Sequence, residues 1–379
     1  MNIQDKKIAL VHDFLLYQGG AEETLIEIQK VFPQAPIYTL LQNEKWAKKF
    51  FSQAEIYNSF LQRAPGVLRK RYKFLLPFMP SAIEAFDLRD YDVVISSSSA
   101  FAKGIVVKAK IPHICYMHAP MRYVWDWQHE YLEEKRLKGK MKLITRFMLN
   151  YLRLWDRASA ARPDFLVANS KFTARRIAKY YRREVPVIYP PVRVNRIKPQ
   201  RENDGYFLTV GRFSAYKRVD LIIKTFSKLK LPLVIVGKGE EGARLKKMVE
   251  GEPRIKILGW QPNEKLFALY QNARAFVVAS EDDFNLTAVE AMAAGKPVIA
   301  LRAGGLRETI IEGATGEFFD EPILELVADG VRRFIEKESG YDYKEIRRHA
   351  EQFSAARFRR EFQSYVTWQI GRASCRERV

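Results

Sequence analysis

Two carboxylates eight residues apart, Asp282 and Glu290, stand in the stretch Ala275-Phe-Val-Val-Ala-Ser-Glu-Asp-Asp-Phe-Asn-Leu-Thr-Ala-Val-Glu-Ala-Met-Ala-Ala-Gly-Lys-Pro-Val-Ile-Ala300. The stretch reads as a buried strand, a polar loop, a helix starting near Thr287, and a second buried strand. Gly295 and Pro297 stop that helix. Asp282 falls on the loop and Glu290 in the first turn or two of the helix, so both could reach a ligand above the helix start. Phe284, Asn285, Leu286 and Thr287 lie between them, where free backbone N–H groups could hold a phosphate.

Cations that could meet such a phosphate occur upstream. Tyr206-Phe-Leu-Thr-Val runs into Gly211-Arg212, and Lys217 follows five residues after Arg212. Arg presents a planar fork and Lys a mobile point charge, a pair able to neutralise a departing diphosphate. Leu233-Val-Ile-Val ends in Gly237, and Ile255-Lys-Ile-Leu-Gly in Trp260. No Gly-Lys-Ser/Thr follows Gly237, so this is not a Walker loop. Trp260 could border a nucleotide base or lie in a core.

In the first half, strand Ile8–His12 leads to Gly19-Gly20 and a helix over 21–32, an order that lets backbone pass close to an anion. Strands are also expected at 36–40, 91–99, 114–118 and 165–168, with Ser170 as an N-cap and a long helix over 143–161. His118 falls at a strand's carboxyl end, where ligands of open α/β sheets gather. Pro190-Pro191 and the polar run 198–205 read as a linker.

With these parts assembled, the chain resembles the retaining GT-B glycosyltransferases of family 4. Their usual wording is Glu-Gly-Phe-Gly-Leu or Glu-Asp-Phe-Gly-Ile before a Glu-Ala-Met-Ala helix. Here Asp282 stands for the first Glu and Asn285 for the second Gly, while Glu290-Ala-Met-Ala-Ala-Gly-Lys-Pro-Val-Ile-Ala matches closely. Gly-Arg-x4-Lys at Gly211–Lys217 is among the family's most specific marks. Leu301-Arg-Ala-Gly-Gly-Leu-Arg-Glu-Thr309 is similar to its final donor loop, and His118-Ala-Pro-Met-Arg-Tyr123 to a bacterial branch that includes O-antigen mannosyltransferases.

The resemblance implies an α/β fold of two Rossmann-like domains facing a central cleft, with a C-terminal helix crossing back. It implies a sugar-nucleotide donor, with GDP-mannose first in line, a lipid-linked glycan or polysaccharide acceptor, and neither cofactor nor metal. Arg212 and Lys217 would stabilise the leaving diphosphate, Asp282 would orient the sugar, Glu290 would bind the ribose, and His118 would face the reacting sugar. Gly19, Gly20, Gly211, Gly237, Trp260, Phe284, Asn285, Leu286 and Thr287 complete the expected donor site. The shorter Asp282 and the side chain of Asn285 suggest a looser contact with the sugar than in the usual member.

The expected organisation is an acceptor domain over 1–198, a nucleotide-sugar domain over 199–345, C-terminal helices over 346–369, and a non-native tail over 370–379. Ile370-Gly-Arg-Ala-Ser-Cys-Arg-Glu-Arg-Val resembles a translated sequencing-adapter tail, which would make Cys375 foreign and the last helix truncated.

Of the 379 residues, 47% are apolar, enough for real cores. Two cysteines cannot build a disulfide framework, and the apolar runs are too short to span a bilayer. The net charge of +20 is uneven: residues 1–198 hold 34 Lys and Arg against 18 Asp and Glu, leaving +4 to the remainder. Such a field favours an acidic partner. No nucleic-acid-binding motif accompanies it, so nucleic acid is not expected. Basic residues from Arg63 to Lys73 surround Phe74-Leu-Leu-Pro-Phe-Met-Pro80, and Lys135–Lys142 forms a second basic run. Both suit an anionic membrane surface or a solvated face. A cytoplasmic protein at the inner face of the membrane is expected. Three alternatives stay open: a metal-dependent GT-A transferase using Glu281-Asp282-Asp283, a sugar-nucleotide epimerase of GT-B shape, and a non-enzymatic basic binder.

Overall fold

Eight consecutive residues of the first strand, Ile8–Leu15, are buried or nearly so, because apolar side chains alternate between two cores. Ala9 and Val11 enter one apolar cluster, Ile8 and Leu10 the other. A strand covered on both faces is what a parallel sheet requires. The computed structural model describes Ile3, residues 6–128 and residues 139–376. Residues 135–138 of the second basic run and the tail's last three residues lie outside these.

The described chain forms two compact units, one of Met1–Pro191 with Phe358–Val379 and the other of Val192–Arg357. The first holds β1 (Ile8–Leu15), β2 (Ile37–Gln42), β3 (Ile56–Asn58), β4 (Val93–Ser98), β5 (His113–Met117) and β6 (Phe165–Ala168). They form one sheet in the order β3-β2-β1-β4-β5-β6, with every pairing parallel. The second unit repeats the plan with β7 (Phe207–Val210), β8 (Leu233–Val236), β9 (Ile255–Gly259), β10 (Ala275–Val278), β11 (Val298–Leu301) and β12 (Gly316–Phe319). Their order is β12-β11-β10-β7-β8-β9, again all parallel. Two Rossmann-like sheets of this kind are the α/β architecture expected of GT-B, and do not suit the one-domain GT-A alternative.

The chain leaves the first unit at Pro190-Pro191 rather than at residue 198. Val192 N donates to Phe353 O at 2.9 Å, and Arg347 donates to the carbonyls of Val194 and Ile197, so this strip belongs to the second unit. The final helix, Ala355–Arg376, returns to the first unit. Phe358, Phe362, Val366 and Ile370 join the cluster containing Ile8, Leu10 and Tyr116. Ile370, first residue of the expected foreign tail, is thus buried in that core. The helix at Lys171–Tyr181 starts as expected, with Ser170 Oγ accepting from Thr173 N at 2.9 Å.

Candidate functional site

Each sheet reverses its strand order once, between β7 and β10 in the second unit and between β1 and β4 in the first. Loops leaving the carboxyl ends of such strand pairs frame the ligand crevice of open α/β sheets.

In the second unit those loops carry the predicted charges. Gly211 and Arg212 follow β7, and Ser280 to Asn285 follow β10 by one residue. Asp282 is buried, and both its oxygens are engaged. Lys217 Nζ donates to Oδ1 at 2.6 Å, while Ser280 Oγ and Asn285 Nδ2 donate to Oδ2 at 2.9 and 2.6 Å. Lys217 and Asp282, 65 residues apart, thus meet directly. A diphosphate arriving here would compete with Asp282 for the Lys217 ammonium.

Asn285 has φ +71°, the left-handed conformation that glycine adopts freely and asparagine tolerates. This is the physical reason a glycine suits the position. Its side chain is folded into the loop: Oδ1 caps the Leu286–Ala293 helix by accepting from Ala288 N at 2.9 Å and also accepts from Thr287 Oγ1 at 2.8 Å. Phe284 is buried edge-on against Phe353. Its side chain therefore serves the core. Glu290 lies on the second turn of the helix and accepts from the hydroxyl of fully buried Tyr270 at 3.0 Å. Burial, then the charge of Glu290, raises the Tyr270 phenol well above its ordinary pKa, so it stays a donor.

The glycines divide by role. A Cβ on Gly211 would make only ordinary contact with Lys217, so space is open there. A Cβ on Gly237 would lie 1.9 Å from Gly211 O. Gly237 is thus explained by close packing of the β7 and β8 ends. Gly304, at φ +62°, would bring a Cβ within 2.2 Å of Asp282 O, and Gly305 N donates to that same oxygen at 2.8 Å. These glycines fix the height of the Asp282 loop. Gly304→Ala should cost about 2–4 kcal/mol and lower the melting temperature by roughly 5–10 °C, with donor binding lost in parallel. A thermal melt of the variant measures this. Trp260, beyond the edge strand β9, is 59% exposed with Lys238 Nζ 5.9 Å from its ring centroid. It stands outside the core as an open aromatic face.

In the first unit Gly19 and Gly20 begin the Gly20–Val31 helix after β1. His118 immediately follows β5, and its Nε2 is 2.8 Å from Ser97 Oγ. Burial, with His12 nearby, pushes its pKa down to about 3, so it is neutral at physiological pH. The rings of His12 and His118 meet edge to face at 6.5 Å, and His12 Nδ1 has no hydrogen-bond partner among the described residues.

Sequence reasoning passed over two residues here. Asp13 accepts from four consecutive backbone amides, Ser99, Ala100, Phe101 and Ala102, at 2.6–2.9 Å. A ready anion nest after β4 is therefore filled by the protein's own carboxylate and ties β1 to β4 across the switch point. Glu22, in the first turn after Gly19-Gly20, is buried, and desolvation raises its pKa to about 8, with Asp13 and Glu23 adding repulsion. Folding holds it protonated while the unfolded chain ionises near 4.5. Its contribution to stability is complete below pH 4.5 and is lost as pH rises toward 8. Glu22→Gln, which cannot ionise, should therefore gain stability over the native chain steadily across that window, by about 1.4 kcal/mol per pH unit at most. Denaturant titrations at pH 5 and 8 give the difference. Equal gains at both values would contradict it.

Comparison with known proteins now bears on this geometry. Residues 19–196 match the family model described as Glycosyltransferase Family 4, and residues 193–353 match the model Glycosyl transferases group 1. The chain belongs to these glycosyltransferases. An uncharacterized glycosyltransferase of Methanocaldococcus jannaschii is 27% identical over 66% of this chain and 70% of its own. The lipopolysaccharide 1,2-N-acetylglucosaminetransferase of Salmonella typhimurium is 32% identical over 36% of this chain and 41% of its own. The D-inositol 3-phosphate glycosyltransferase of Mycolicibacterium smegmatis is 26% identical over 51% and 50%. The chain thus spans about half or less of the latter two relatives. Among solved structures, Anabaena HepE in complex with UDP-glucose has a TM-score of 0.70 at 18% identity, over 96% of this chain and 99% of its own. Sucrose-phosphate synthase from Thermosynechococcus elongatus reaches 0.77 at 15%, over 96% and 99%. Such identities carry the fold.

Proposed function

We propose that this glycosyltransferase moves a sugar, mannose from GDP-mannose being the first choice, onto a lipid-linked glycan, with retention of anomeric configuration. The observation that carries the reading is the Lys217–Asp282 pair at the β7/β10 switch point, with Glu290 on the second turn of the helix that follows. In this reading Lys217 and Arg212 neutralise charge developing on the leaving diphosphate, aided by the N-terminus of the Leu286–Ala293 helix. Asp282 orients the sugar, Glu290 holds the ribose, and Trp260 borders the base. The anomeric C–O bond to phosphate breaks. The acceptor hydroxyl oxygen bonds from the same face, and its proton goes to the leaving phosphate oxygen.

The basic excess of residues 1–198 supports a diphosphate-lipid acceptor on an anionic surface at the inner face of the membrane. No helix among the described residues is long and apolar enough to cross a bilayer. Because the leaving diphosphate has Lys217 and Arg212, turnover should survive EDTA; abolition by EDTA with rescue by Mn2+ would contradict this. The reading itself is tested by incubating the chain with radiolabelled sugar nucleotides and a bacterial lipid extract. Label from GDP-mannose should enter the organic phase. Transfer from UDP-sugars alone would replace the donor assignment, and no transfer from any donor would overturn the reading.

A further inference from the structure

The Gly139–Ser159 helix presents three distinct faces. One, with Thr145, Leu149, Leu152, Asp156 and Ser159, is buried. Asp156 there accepts from Lys103 Nζ at 2.6 Å and from Trp125 and Tyr181 at 2.7 Å, which fixes the helix on the first unit. The opposite face carries Leu143, Ile144, Phe147, Tyr151 and Leu154, all exposed, with Phe147 at 69% and Leu154 at 64%. They recur one, three, four and three residues apart, a continuous stripe at helical spacing. Along one edge of that stripe run Lys142, Arg146 and Arg157. The helix carries no acidic residue besides buried Asp156.

We infer that this outer face is a bilayer-docking surface, lying in the plane of an anionic membrane with Phe147 and Leu154 immersed and the cationic edge at the lipid phosphates. The inference deepens the membrane reading above and rests on it for the occupant. Charge decides against a second copy of the chain, which would set like-charged edges of a basic unit against one another. A second segment of the same layer agrees. Leu75, Leu76 and Met79 share a core cluster with Leu149 and Leu152, and the stretch around them exposes Val67, Phe74 and Phe78 among Arg63, Lys70, Arg71 and Lys73. An apolar face bordered by cations is the composition of an interfacial helix. Its buried polar residues and its fixed place against the first unit mark it as lying on a bilayer rather than spanning one.

The test is partition of the whole chain onto phosphatidylglycerol and phosphatidylcholine vesicles. The native chain should bind the former and not the latter. Phe147→Ser with Leu154→Ser should weaken binding about thirtyfold or more in low and high salt alike. Arg146→Gln with Arg157→Gln should weaken it about tenfold or more, in low salt only. A Phe147→Trp chain should show fluorescence quenched by brominated lipid, which needs no destabilising change. Native binding left intact by the Phe147/Leu154 variant, with no quenching, would remove this helix and leave the membrane reading standing. Failure of the native chain to bind either vesicle would overturn both. A dimer in sedimentation that the Phe147/Leu154 variant abolishes would overturn the inference in favour of a second copy.

Discussion

Lys217→Ala should lower turnover about a hundredfold, the loss expected when a charged contact to developing negative charge is removed. The fold should lose far less. With Lys217 gone, Asp282 keeps the donors Ser280 and Asn285, so its carboxylate is not left bare. The Lys217 side chain is itself 20% exposed, which brings the expected stability cost down to about 1–2 kcal/mol. Steady-state turnover measured beside a denaturant melt separates the two. Near-normal turnover, or a melt that collapses with it, would remove Lys217 from the site.

The second large effect distinguishes the two carboxylates. Glu290→Ala should weaken the sugar nucleotide and its free nucleoside diphosphate alike, by about tenfold or more, since a ribose contact is present in both. Asp282→Ala should weaken the intact donor, by less than Glu290→Ala, because its oxygens are already taken up by Lys217, Ser280 and Asn285. The free diphosphate should bind the Asp282→Ala chain at least as tightly as the native one, because Lys217 loses its competing anion. Calorimetric titration of each ligand decides it. Equal weakening of donor and diphosphate by Asp282→Ala would mean that Asp282 does not contact the sugar.

What was legible in the sequence was local. The run Ala275–Val278, the helix behind Asn285 and the strand from Val298 follow from apolar runs and from Gly295 and Pro297. Lys217 and Asp282 were each chosen by type and position in a motif, and the fold joins them because β7 and β10 are neighbours. What stayed hidden depends on strand order. Asp13 meets amides 86 to 89 residues away only because β1 lies beside β4. Read locally, it is a loop residue after a strand; in the fold β1 continues through it to Leu15. Tyr270 likewise reads as one aromatic of a helix until its hydroxyl is found on Glu290. Pro190-Pro191 and the polar run from 198 read alike as linker, but the break falls at the prolines, because the residues between them are bonded to the second unit. The outer face of the Gly139–Ser159 helix is not legible in the sequence, where its apolar residues look like core; only the fold puts the buried set on the opposite side.

The most direct measurement is titration of GDP-mannose and of UDP- and ADP-sugars into the whole chain and into a Lys217→Ala/Glu290→Ala double variant. One sugar nucleotide should bind the native chain at a stoichiometry of about one and fail to bind the double variant, whose unfolding transition stays cooperative. A chain that binds no sugar nucleotide, or a double variant that binds as tightly as the native protein, would contradict the assignment of the donor site to the β7/β10 switch point.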